Sequence, residues 1–236
     1  MRLHRRRFLV VTGTSIAAAT LPAVTLATDK LKIGVIGSGN VGSALGGVWV
    51  KAGHDVMFSS RHLENDRELA ARLGDNASAG TPREAAAFGD VLLMAVPYGA
   101  LPAVGEDLAG LIDGKVVIDA CNPFPNRDGE IADWAREKGA GLASAELLPG
   151  ARIVRAFNAV GAARMATAHE EPGRIGMPIA GDDAEAIEIA SGLIREAGFE
   201  PVLVGGLEMG RYLMPGTPLA GEHSAAEIRE IAAELD

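Results

Sequence analysis

The sequence predicts a doubly wound α/β domain with a mostly parallel sheet, and three observations carry that prediction. A short apolar run from Leu31 ends in a complete G-x-G-x-x-G, Gly37-Ser38-Gly39-Asn40-Val41-Gly42, and passes at once into Val41–Ala52, whose small and apolar residues suit a helix packed on a sheet. Strand-like runs then alternate with helical patterns down the chain. One run, Asp90-Val-Leu-Leu-Met-Ala-Val96-Pro97, is continuously apolar after its first residue, as a central parallel strand covered on both faces must be.

The chain of 236 residues has room for one large domain with a small appendage. It carries 48% hydrophobic residues, 30 glycines and a net charge of −9, which argues against a general nucleic-acid or anionic-membrane surface. Any phosphate site must therefore be built locally. The one cysteine, Cys121, excludes an intrachain disulfide framework and a cysteine-based zinc site, and reads as a buried small hydrophobe.

The first residues read as an address. Arg5-Arg6-Arg7-Phe8-Leu9 is followed by Val10–Leu26 without a charged residue, and Thr25-Leu26-Ala27 offers small residues for cleavage after Ala27. The arginine pair resembles the twin-arginine export motif. We therefore expect residues 1–27 to be a signal peptide and the body to be periplasmic or otherwise extracytoplasmic, with a cytoplasmic protein as the alternative. Residues 28–206 form the nucleotide-binding domain in this reading, and 207–236 a C-terminal helical extension.

In the fingerprint, Gly37 permits a tight turn, Gly39 lets a pyrophosphate reach the backbone, and Gly42 lets the helix sit close to the strand. Ser38, Asn40 and Val41 complete the loop, and the helix N-terminus offers unpaired N–H groups to phosphate. Gly53 ends that helix and Asp55–Ser59 is the second strand. An NAD enzyme usually carries an acid near this point, about 20 residues beyond the glycines, to grip the ribose 2′-hydroxyl. Here Ser59-Ser60-Arg61-His62 stands instead, and hydroxyls with a guanidinium suit a 2′-phosphate, so the expected cofactor is NADP(H).

Leu63–Leu73 has helical spacing stopped by Gly74, and Thr81-Pro82-Arg83-Glu84 starts a helix that runs to about Phe88. The end of the apolar strand, Ala95-Val96-Pro97-Tyr98, should open onto the cofactor crevice, with Tyr98 either touching the nicotinamide half or standing at the rim. Gly114–Asp119 is a fourth strand, and Asn122 beyond it is placed either to orient ligand or to make a turn before Pro123. Ile131–Lys138 and Ala143–Leu148 read as helical, and Ile153–Phe157 as a fifth strand ending in Asn158-Ala-Val-Gly161. Ala162–Pro172 is irregular and expected to cover the substrate side. Met177–Ala180 and Pro201–Val204 are short strands around the helix Asp183–Ala197, and Ser224–Leu235 is a last helix. His54 reads as a surface residue, His169 and His223 as loop residues without metal-ligand spacing, so no metal is expected.

Gly37-Ser-Gly-Asn-Val-Gly42, Ser60-Arg61, Ala95-Val96-Pro97, Val154-Arg-Ala-Phe-Asn158 and Pro178-Ile-Ala-Gly181-Asp182-Asp183 together resemble the NADPH-dependent coenzyme F420 reductase family. The same module is similar to the NADPH-binding domain of the Steap metalloreductases. The resemblance runs from about Leu31 to Leu207 and implies a Rossmann fold and hydride transfer between NADPH and coenzyme F420 or a flavin. It also implies a strand end and loop over the nicotinamide, matched here by Phe157 and Asn158, which are the substrate-side candidates. No general acid is required for that chemistry and none is nominated. The alternatives are an NADPH-dependent reductase of a small imine or keto substrate and a non-catalytic NADP-binding redox sensor. The expected partner is a small-molecule redox acceptor, with a homodimer left open.

Overall fold

The computed structural model describes residues 30–171 and 173–235. The leader read in residues 1–27 lies outside the described residues. In chain order the elements are β1 (Lys32–Ile36), α1 (Asn40–Ala52), β2 (Asp55–Ser59), α2 (Leu63–Leu73), β3 (Ala77–Ala79), α3 (Pro82–Phe88) and β4 (Val91–Met94). They continue with α4 (Leu101–Asp107), β5 (Val116–Asp119), α5 (Pro125–Asp128), α6 (Glu130–Lys138), α7 (Ala140–Leu147), β6 (Arg152–Arg155) and α8 (Ala162–Thr167). The last are β7 (Ile175–Gly181), α9 (Ala184–Glu196), β8 (Phe199–Gly205) and α10 (Ala225–Ala233).

The eight strands form one sheet in the order β3-β2-β1-β4-β5-β6-β7-β8. Chain order turns outward from β1, to β2 and β3 on one side and to β4 on the other, which is the doubly wound pattern the alternation predicts. All neighbours are parallel except β6 and β7, whose pairing of Val154 with Gly181 is antiparallel, so the last two strands run against the first six. The switch point, where ligands bind in such sheets, lies between β1 and β4.

Both faces are covered, and adjacent residues of the central strands divide between them. Ile33, Val35, Val91 and Leu93 pack with Leu45 and Trp49 of α1, Met165 of α8 and Ala190 of α9. Ile36, Leu92, Met94 and Val117 pack with Ala85 of α3, Leu101 of α4, Ala135 of α6 and Ala143 of α7. A smaller cluster of Ala180, Val202, Leu213, Leu219 and Ile228 seats the C-terminal stretch and α10 on β7 and β8.

The helix-start chemistry is as read. Thr81 and Glu84 form a reciprocal capping box around Pro82, Ser224 and Glu227 form another, and the Asp183 side chain caps α9. Two expectations are corrected, and one strand was not foreseen. Residues 162–170 are not irregular: α8 and a following 3-10 turn, Ala168–Glu170, pack along α1. Their far end pairs Glu170 with Lys51 in the last turn of α1, the end opposite the glycine loop. His54 is not a surface residue but 2% exposed, with Nδ1 accepting from Leu31 N–H and Nε2 2.7 Å from Glu196 Oε2. The strand β3 carries no apolar signal, being Ala-Ser-Ala, and exists through its backbone pairing with Val56–Phe58.

Candidate functional site

The site forms where the ends of β1, β2, β4, β5 and β6 meet. Gly37 has φ +101°, a left-handed conformation that favours glycine, and its N–H and that of Ser38 donate to Ser59 O at 2.9 and 3.0 Å. The turn is pressed against β4: a Cβ at Gly37 would lie 2.5 Å from Ala95 O. A Cβ at Gly42 would lie 2.0 Å from Gly37 O, which is why α1 can start so close to the turn. Gly39 is different. It has φ −65°, and nothing among the described residues lies within 4 Å of where its Cβ would be.

The side of the turn that faces out at Gly39 is thus open, and it lies at the start of α1. No side chain caps that helix, and its first turn holds no acid. The N–H groups of Asn40, Val41 and Gly42 lack intrahelical acceptors by geometry, so the positive end of the helix dipole faces the opening. A phosphate group fits there both sterically and electrically.

At the end of β2 the three candidate residues part company. Ser59 is fully buried and donates to Val35 O at 2.7 Å, so it holds the strand end to β1 rather than facing the ribose. Ser60 donates to Asp66 Oδ2 at 2.8 Å and accepts from His62 N–H at 3.0 Å. Arg61 is exposed, and among the described residues nothing pairs with it. Asp66 of α2, which the sequence reading did not single out, is 1% exposed and also accepts from the Ser38 hydroxyl. The available signal was an acid six residues after a serine pair at a strand end.

On the far side of the switch point, Ala95 and Val96 are half-buried and Pro97 is exposed at the end of β4. Tyr98 neither touches the crevice nor stands at a rim. It is fully buried among α4, α6 and α7, its hydroxyl 3.3 Å from Ala140 O and 3.1 Å from Ser144 Oγ. The two residues after Val96 turn the chain into a 3-10 turn, Tyr98–Ala100, that carries the ring under the sheet. Burial, with the Asp119 carboxylate nearby, holds its phenol well above the ordinary range.

The ends of β5 and β6 are organised by a buried ion pair that the sequence reading missed. Arg155 Nη1 lies 2.7 Å from Asp119 Oδ2, both side chains fully buried. Arg155 also donates to Cys121 O at 2.9 Å and to Asn122 Oδ1 at 3.3 Å, while Cys121 N–H donates to Asp119 Oδ1 at 2.9 Å. Asn122 in turn donates to Asn158 O at 3.0 Å, and Asn158 Nδ2 donates to Cys121 O at 3.3 Å. This brings Asn122 and Asn158 together. Asn158 Oδ1 is buried and has no partner among the described residues, which leaves an acceptor in need of a donor.

Phe157 is not a contact over the ligand. It is 1% exposed and packs edge-on between Trp49 and Phe199, with ring centroids 6.2 and 6.1 Å away. Its φ of +65° is the only positive value at a non-glycine among the described residues. Such a conformation costs about 1–2 kcal/mol, offset here by ring burial, and it swings Asn158 toward Cys121. Cys121 is itself 2% exposed, and burial with the neighbouring Asp119 pushes its thiol well above the usual range, so it supplies packing rather than a nucleophile.

Residues 32–123 match the family model described as NADP oxidoreductase, coenzyme F420-dependent. The F420-dependent NADP reductase of Methanothermobacter thermautotrophicus is 30% identical over 205 residues, covering 80% of this chain and 87% of that protein. The metalloreductase STEAP3 of Rattus norvegicus is 30% identical over 183 residues, 76% of this chain but 35% of that protein. Among solved structures, a hypothetical protein from Sinorhizobium meliloti superposes with a TM-score of 0.69 at 27% identity, covering 83% of this chain and 95% of that one. On the length and identity of these matches, the chain belongs to the F420-dependent NADP reductase family of NADP-dependent oxidoreductases.

Proposed function

We propose that this oxidoreductase transfers hydride between NADPH and a flavin-like or deazaflavin acceptor such as coenzyme F420. The observation that carries the reading is the open face of the turn at Gly39, set at the N-terminus of α1, with an exposed Arg61 at the end of β2 that has no partner among the described residues. When bound, the nicotinamide supplies the hydride chemistry.

The chain's own residues bind and orient. The amides of Asn40, Val41 and Gly42 receive the pyrophosphate at the open side of the turn. Arg61 receives the 2′-phosphate through charge-assisted hydrogen bonds, with Ser60 forming the wall behind it. Ala95, Val96 and Pro97 line the way from the turn toward Asn122. The unpartnered Asn158 Oδ1 offers an acceptor to the carboxamide N–H that a nicotinamide carries. Asp119 and Asp66 are held by Arg155 and by two serines, so these acids position the site and are not free to relay protons.

Mixing purified protein with NADPH and, in separate assays, coenzyme F420, FMN and a panel of cyclic imines tests the reading. Oxidation of NADPH by F420 or FMN is expected. Turnover with imines alone, or NADP binding without turnover of any acceptor, would contradict it.

A further inference from the structure

The bonds around Asp66 do more than nucleotide binding requires. The carboxylate is 1% exposed and, among the described residues, has no cation beside it. The Ser38 hydroxyl donates to Oδ1 and the Ser60 hydroxyl to Oδ2 at 2.8 Å. Ser38 belongs to the glycine turn and Ser60 to the loop after β2, so one buried acid fastens the two walls of the adenosine side together. A serine hydroxyl has a single proton. Both protons are spent on Asp66, and Ser60 already accepts from His62 N–H at 3.0 Å. The serines therefore turn lone pairs, not donors, toward a ligand, and an uncompensated negative charge lies one hydroxyl behind the Arg61 loop.

We propose that Asp66 is a specificity-determining residue, a carboxylate masked by Ser38 and Ser60 that sets how strongly the site prefers the 2′-phosphorylated dinucleotide over the unphosphorylated one. The proposal rests on the placement of the 2′-phosphate at Ser60 and Arg61 given above. The charge of Asp66 opposes a phosphate dianion, so it weakens NADPH binding. A ribose hydroxyl, by contrast, needs an acceptor, and a carboxylate at the end of the second strand is the acceptor that NAD sites use. The mask keeps Asp66 from serving that role.

Asp66→Asn keeps the shape, removes the charge and returns one serine proton to the ligand side, because an amide accepts from one hydroxyl and donates to the other. Titrations of NADPH and NADH by fluorescence should show NADPH binding about tenfold tighter, the size of one charge-assisted hydrogen bond, with NADH unchanged. Weakening of both cofactors alike, or of NADPH alone, would overturn the proposal. If Asp66→Asn does not fold, Ser60→Ala carries the test by removing a mask and keeping the acid: NADH should bind tighter while NADPH binds more weakly, and an unchanged NADH affinity would overturn it. Arg61→Ala measured alongside separates the two claims. An unchanged cofactor ratio in that variant removes the underlying placement of the phosphate, whereas a narrowed ratio there with Asp66→Asn inert removes only the role of Asp66.

Discussion

Arg155 and Asp119 stand at the ends of adjacent strands with Nη1 and Oδ2 2.7 Å apart and both side chains fully buried. The guanidinium also holds Cys121 O and Asn122 Oδ1 on the crevice side, and Gly210 O and Leu213 O of the C-terminal stretch at 3.3 and 3.4 Å. One side chain thus joins the nicotinamide-side loops to the segment that follows the sheet.

Breaking the pair from one side should be costly. Asp119→Asn leaves a buried guanidinium without its counter-charge, a loss of about 3–5 kcal/mol by analogy with other buried pairs. Chemical denaturation should show that drop. Because Arg155 reaches Gly210 and Leu213, amide exchange at Leu207–Met214 should rise in Arg155→Met. A stability change below about 1 kcal/mol in Asp119→Asn, the range of an exposed pair, would mean that the pair contributes little.

The glycines of the fingerprint should separate by role. Gly39→Val puts a branched side chain into space that is open in the protein, so the fold should persist while NADP affinity falls below detection. Gly42→Ala drives a methyl to 2.0 Å from Gly37 O and should lower the melting temperature as well. Circular dichroism melts with cofactor titrations on both variants check this. Normal affinity in Gly39→Val would make the loop only a turn.

Two buried groups make stability fall in alkali. The Cys121 thiol and the Tyr98 phenol are raised in the folded protein, the former from 9.0 and the latter from 10.0, so both stay protonated after the unfolded chain has begun to ionise. The unfolded state then binds fewer protons, and stability declines as pH rises above those values. Melting temperatures between about pH 8 and 11 should fall less steeply in Cys121→Ala and Tyr98→Phe than in wild type when each variant is compared with its own value at about pH 8. Parallel curves would contradict the assignment.

Export should depend on the arginine pair ahead of Phe8-Leu9 and the uncharged run. Replacing Arg5 and Arg6 by Lys is expected to hold the full-length precursor in the cytoplasm, as fractionation and blotting would show. An unchanged exported yield would remove the twin-arginine reading.

Much of this fold is legible in the sequence because its signals are local. The glycine fingerprint, the Thr81 capping box and the apolar run of β4 each announce their structure within a few residues. What escaped reading depends on distant partners. Asp66 looks like an ordinary first-turn acid until α2 folds it beneath Ser38 and Ser60, 28 and 6 residues away. Arg155 and Asp119 lie 36 residues apart and become partners only through strand register. Phe157, a candidate through the family resemblance, and Tyr98, open between crevice and rim, both stand near strand ends, yet backbone conformation turns both rings into the core. A strand end predicts where the chain passes, not which way the next aromatic points.

In the proposed function the end of β2 reads a 2′-phosphate through Arg61. Titrating NADPH and NADH against wild type and Arg61→Ala tests it most directly. A charge-assisted hydrogen bond contributes about 1.5–3 kcal/mol, so the variant should lose roughly one to two powers of ten in NADPH affinity at about 1.4 kcal/mol per decade, with NADH affinity unchanged. Equal binding of both cofactors by wild type, or equal weakening of both by Arg61→Ala, would mean that Arg61 does not hold a 2′-phosphate.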